Sequence, residues 1–84
     1  MKFDDLIGNY DVAIHCKTKK DIKDFIRYCK NNNIDLQDNG KLVQTHNDCF
    51  MINSRRQLFR ESEFYCKHYG YKIIDFKDLE LEVN

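Results

Sequence analysis

Asp11-Val-Ala-Ile-His-Cys-Lys-Thr18, continuing into Lys19-Lys-Asp-Ile-Lys-Asp-Phe-Ile-Arg-Tyr-Cys29, is the stretch whose reading decides the fold. Val12-Ala-Ile-His-Cys16 is short and apolar enough for a central strand. Thr18 is a good N-cap, and Asp21 stands three residues on, where a carboxylate meets unpaired N–H groups and the positive end of the helix dipole. Ile22, Phe25, Ile26 and Cys29 then fall at i, i+3, i+4 and i+7, the spacing of one buried helical stripe. Lys19, Lys20, Lys23, Asp24, Arg27 and Lys30 take the other faces, and Asn31-Asn-Asn33 tolerates the left-handed backbone that ends a helix.

Working outward, Ile34-Asp-Leu-Gln37 and Lys41-Leu-Val-Gln44 flank Asn39-Gly40, the strongest short hairpin signal. Cys49-Phe-Met-Ile52 and Gln57-Leu-Phe-Arg60 are strand candidates expected to pair antiparallel through Asn53-Ser-Arg-Arg56. Ser62 can cap a short helix over Glu63–Tyr69, with Phe64 or Tyr65 and His68 or Tyr69 turned inward and Gly70 just past its end. Tyr71-Lys-Ile-Ile-Asp-Phe76 gives a last strand, followed by a polar tail with alternating apolar residues. The expectation is one α+β domain spanning 1–84: two layers, with a largely antiparallel sheet of about five strands in β-α-β-β-β-α-β order.

The 84 residues provide one modest core and little room for a deep enclosed active site. Charged residues make up 33% and cancel to zero, which argues against a dedicated nucleic-acid binder, where basicity supplies most of the affinity. Acidic residues lie where a signal peptide needs its apolar segment, and the longest apolar run is Cys49-Phe-Met-Ile52. Neither secretion nor a membrane association is expected, so the chain reads as cytoplasmic and its four cysteines as free thiols.

Arg55, Arg56 and Arg60, with Tyr65 nearby, form the one local basic cluster and the candidate partner- or phosphate-binding site. Edge-strand charge against aggregation is the structural alternative for the same residues. For metal, the weak candidate set is His46, Cys49, Cys66 and His68; Cys66 and His68 would point about 200° apart on a helix, and no cofactor is expected. His15 and Cys16 point to opposite faces of a strand and form no catalytic pair. Five tyrosines and six phenylalanines either fill the core or supply protein contacts. An exposed sheet edge also admits a homodimer.

Ile14-His-Cys-Lys-Thr18 and Gly70-Tyr-Lys-Ile-Ile-Asp-Phe-Lys-Asp-Leu79 resemble the opening and closing motifs of small uncharacterised proteins from phages and mobile elements of low-GC Gram-positive bacteria. Those motifs are Val-x-His-Cys-Lys-Thr, a Glu/Lys-rich helix, and Gly-Tyr-x-Ile-Ile-x-Phe-x-Asp-Leu. The resemblance spans Asp11 to Leu79 but departs in the middle, where the usual Trp after the first helix is missing. It implies fold and provenance and transfers no functional residues, because both motifs are mostly core-strand patterns. It also implies an accessory role: a non-enzymatic protein that occupies a surface on a host or viral protein in the bacterial cytoplasm, inhibiting a defence factor such as a CRISPR effector. The alternatives are a small nucleic-acid or nucleotide-phosphate binder using the arginines, and a His-dependent ribonuclease drawing on His46, Arg55, Arg56, Tyr65 and His68.

Overall fold

Thr18 starts the first helix as its position predicts. In the computed structural model, which describes residues 1–37 and 48–81, the Thr18 hydroxyl accepts a hydrogen bond from the Asp21 N–H at 3.1 Å and opens helix α1 (Lys19–Asn31). Phe25 and Cys29 are fully buried along its inner stripe, with Ile22, Ile26 and Tyr28 half-buried at the margins. Asn33 adopts φ 61°, and the chain reverses so that the Ile34 N–H reaches back to the Cys29 carbonyl at 2.9 Å. A carbonyl of the last turn is thereby satisfied.

Five strands follow the expected order: β1 (Val12–His15) before α1, then β2 (Asp35–Leu36), β3 (Cys49–Ile52) and β4 (Gln57–Glu61), helix α2 (Glu63–His68), and β5 (Lys72–Asp75). They form one sheet in the order β2-β4-β3-β1-β5, an α+β arrangement. β3 is antiparallel to both β1 and β4, as expected for the β3–β4 pair, whereas β5 runs parallel to β1 and β2 parallel to β4. The sheet is therefore mixed, where the sequence suggested mostly antiparallel pairing. β5 returns after α2 to the far side of β1 instead of folding back on β4. The Asn39-Gly40 hairpin and its second arm lie outside the described residues.

Alternation along β1 divides the core in two. Val12, Ile14 and Cys16 join Phe25, Cys29, Phe50, Ile52 and Leu58 under α1, while Ala13 joins Cys49 and Cys66 under α2, with Met51, Tyr71 and Ile73 at its margin. The helices thus lie on opposite faces, a layer more than expected from sequence. β1 can be central because both of its faces are apolar.

Phe25 is the hub of the larger core. Its ring lies 5.3 Å from that of Phe50, 5.8 Å from Phe76 and 6.3 Å from Phe3, and Phe3 in turn meets Tyr28 edge-on at 4.7 Å. Phe3 and Leu6 sit on a 3-10 turn (Phe3–Leu6) to which the sequence reading gave no role. Both chain ends are tied together: the Phe3 N–H donates to the Glu80 carbonyl at 3.2 Å and the Glu80 N–H to the Met1 carbonyl at 2.9 Å. Leu79, read as part of a polar tail, is buried by this pairing. No helix among the described residues is long and apolar enough to cross a membrane.

Truncating this hub leaves a cavity flanked by three rings, so Phe25→Ala should cost about 3–5 kcal/mol. Thr18→Ala should cost only about 1 kcal/mol through the lost cap. Urea unfolding of both variants measures the difference, and a Phe25→Ala loss no larger than that of Thr18→Ala would show that the aromatic cluster is not the main core.

Candidate functional site

Helix α2 is capped as expected, with the Ser62 hydroxyl accepting from the Tyr65 N–H at 3.0 Å and Gly70 at φ 79° just beyond its end. Its orientation differs from expectation. Cys66 is the buried residue of the helix, while Phe64 and Tyr69 are 79% and 64% exposed and His68 is exposed as well. Cys66 packs on Ala13 and Cys49, with Met51, Tyr71 and Ile73 at the margin, and it is the one position of the helix that is buried.

The outward rings form a continuous series. Phe64 stacks on His68 with centroids 6.1 Å apart, His68 meets Tyr69 edge-on at 4.9 Å, and Tyr69 lies 4.7 Å from Tyr65. Tyr65 then lines a shallow groove of about 190 Å³ together with Tyr10, Met51, Phe59, Glu61 and Tyr71. Met51 and Phe59 are cross-strand neighbours of β3 and β4 on the α2 side of the sheet, at the margin of the helix. Tyr10 is pinned at the far end, where its phenol oxygen accepts a hydrogen bond from the Ser54 N–H at 3.3 Å. Ser54, through both its hydroxyl and its backbone, lowers the Tyr10 pKa. Desolvation, and then the Glu61 charge, raise that of Tyr65.

The arginine cluster expected from sequence is divided. Asn53 organises the β3–β4 turn, its Oδ1 accepting from the N–H groups of Arg55 and Gln57, both at 2.9 Å. Arg56 adopts φ 63° at the end of this turn, and its guanidinium donates to the Asn32 carbonyl at the C-terminus of α1, where a cation complements the helix dipole. Arg60 lies on the α1 face of β4, with its guanidinium 5.5 Å from the centre of the Phe50 ring. Arg55 is exposed at the turn, on the Tyr10 side. Of the four residues proposed from sequence, Tyr65 lines the groove and Arg55 stands near its end.

Half of the expected metal set also meets. Cys49 and Cys66 are buried together under α2. His68 belongs to the outer aromatic series instead, and His46 lies outside the described residues. The histidine that meets Cys49 is His15. Its Nε2 is 2.9 Å from Asp48 Oδ2 and its Nδ1 is 3.8 Å from Glu63 Oε2, and ligand atoms of His15, Asp48 and Cys49 all lie within 4.8 Å of one another. The β1–β3 register places His15 directly opposite Cys49. No local spacing announces a pairing of residues 33 positions apart.

All four cysteines are buried and free. Burial pushes the Cys29 thiol up to about 12, and likewise raises Cys16, Cys49 and Cys66. Protonated thiols of this kind are poor nucleophiles at neutral pH. No family model, no curated protein and no solved structure matches this chain.

An unfolded thiol ionises near about pH 8.5, well below the folded value of Cys29. Between the two the unfolded chain releases a proton that the folded chain keeps. Stability should therefore fall as pH rises from about 8.5 toward 12, by up to about 1.4 kcal/mol per pH unit for each such thiol. Urea unfolding at about pH 8 and about pH 10 should show a smaller loss in Cys29→Ala than in the parent; equal losses would contradict the assignment.

Proposed function

We propose that the protein is a non-enzymatic binding protein that acts by docking its aromatic face onto another protein. The observation that carries this reading is the unbroken run of Phe64, His68, Tyr69, Tyr65, Phe59 and Tyr10 across α2 and the uncovered part of the sheet. Tyr and Phe held on regular elements supply contact area at little entropic cost, and such residues dominate binding energy at protein interfaces. Glu61, Glu63, Lys67 and Arg55 border the run with both signs of charge, as in a polar rim around an apolar centre. A standard interface takes roughly 800 Å² from each partner, so one face of a molecule with 5784 Å² of surface is sufficient.

Nucleic-acid or phosphate binding through Arg55, Arg56 and Arg60 draws less support, because Arg56 caps α1 and Arg60 packs over Phe50 on the opposite face of the sheet. The finer reading, a phage or mobile-element protein that inhibits a host defence factor such as a CRISPR effector in the bacterial cytoplasm, is supported by the resemblance of the opening and closing motifs.

Co-purification from the lysate of a low-GC Gram-positive bacterium tests the reading. Phe64 and Tyr69 are exposed, so the Phe64→Ala/Tyr69→Ala double variant should keep the parental unfolding midpoint. It should lose a captured protein partner, each truncation weakening affinity by about tenfold or more. Arg55→Ala should retain the partner within a few-fold. Undiminished capture by the folded double variant would overturn the proposal, and capture of nucleic acid with a steep salt dependence would favour the arginine reading.

A further inference from the structure

The groups around His15 leave an electrostatic account unbalanced. One imidazole N–H can serve Asp48, at 2.9 Å from Nε2, but Nδ1 then faces a second carboxylate, that of Glu63, at 3.8 Å. Asp48 Oδ1 is buried and has no hydrogen-bond partner among the described residues, a condition that costs a carboxylate dearly unless a cation or donor is supplied. Next to these, the buried Cys49 packs with Cys66 in the small core. Lys67 reaches Glu63 at 3.5 Å, and Lys17 is engaged by Asp75 at 2.9 Å, so neither is directed at Asp48.

Imidazole nitrogen, carboxylate oxygen and two thiol sulfurs form the donor set of a four-coordinate site for zinc, a borderline-soft cation. They come from three elements that only the tertiary fold brings together: His15 from β1, Asp48 and Cys49 from the start of β3, and Cys66 from α2. The ligand atoms of the first three already lie within 4.8 Å of one another; Cys66, packed with Cys49 in the small core, stands outside that trio and closes in as the fourth ligand when the ion binds. His15 and Asp48 are partly exposed, at 15% and 26% of their side chains, which leaves a route from solvent to the two buried sulfurs. We propose that His15, Asp48, Cys49 and Cys66 bind one zinc ion, with Glu63 beside His15 as an outer carboxylate.

Bound there, the ion displaces the thiol protons, satisfies Asp48 Oδ1 and clamps α2 to β1 and β3. Its role is structural. α2 carries Phe64, Tyr65, His68 and Tyr69, so the clamp would fix the orientation of half the aromatic face. A domain of this size gains most from such a staple, since its hydrophobic core is small. The thiols Cys16 and Cys29 lie on the other face, under α1, and take no part, which provides an internal control.

Cobalt(II) titration of the reduced, chelator-treated full chain reads the site directly. A near-ultraviolet thiolate-to-cobalt charge-transfer band should grow to saturation at one equivalent and be bleached by zinc. The band should vanish in Cys49→Ser, and Asp48→Asn, a partly exposed site that preserves the fold, should weaken cobalt affinity by about tenfold or more. Cys29→Ser should keep the full band. Zinc should raise the thermal unfolding midpoint of the parent and leave that of Cys49→Ser unchanged. Absence of the band in the folded parent, or a band that persists in Cys49→Ser and disappears in Cys29→Ser, would overturn the proposal.

Discussion

Everything in this fold is organised around a strand that is buried on both faces. Period-two alternation in β1 sends Val12 and Ile14 to one helix and Ala13 to the other, so four consecutive residues determine the contents of two cores. The two sides are unequal by design of the side chains. Under α1 the strand meets large rings and branched aliphatics centred on Phe25; under α2 it meets Ala13, Cys49 and Cys66. Ala13 is the only alanine in the chain, and it is fully buried against Cys49 and Cys66 under α2.

That inequality produces the surface. A six-residue helix over a floor of small residues has one inward position, and Cys66 fills it. The aromatic residues on either side of Cys66 have nowhere to go but outward, where they join Phe59 and Tyr10. An aromatic face is thus the other side of a thin core. The β1–β3 pairing that forms this floor also gathers His15, Asp48 and Cys49 at one end of it.

Local rules made much of this legible from sequence. Thr18 and Ser62 cap their helices, Asn33 and Gly70 end them with positive φ, and the i, i+3, i+4 stripe of α1 is buried as its spacing requires. Each of these depends on interactions within a few residues. What could not be read depends on distant partners: β5 pairing parallel with β1, the ladder between the chain ends that buries Leu79, and α2 choosing the face opposite α1. Phe64 or Tyr65 and His68 or Tyr69 are expected inward from sequence, yet all four are exposed, because hydrophobicity alone does not reveal how small the core beneath is. Likewise Arg55, Arg56 and Arg60 are neighbours in sequence, yet the turn and the strand's alternation send them to different places.

The claim that β1 separates two independent cores, the smaller one closed by Ala13, Cys49 and Cys66, is tested most directly by thiol protection in Ala13→Leu. Enlarging this side chain should lift α2, so that Cys49 and Cys66 react with a thiol reagent under native conditions while Cys16 and Cys29 stay protected beneath α1. Mass-resolved labelling of each cysteine distinguishes the outcomes. Full protection of all four thiols, or exposure of Cys16 and Cys29 together with the other pair, would contradict it.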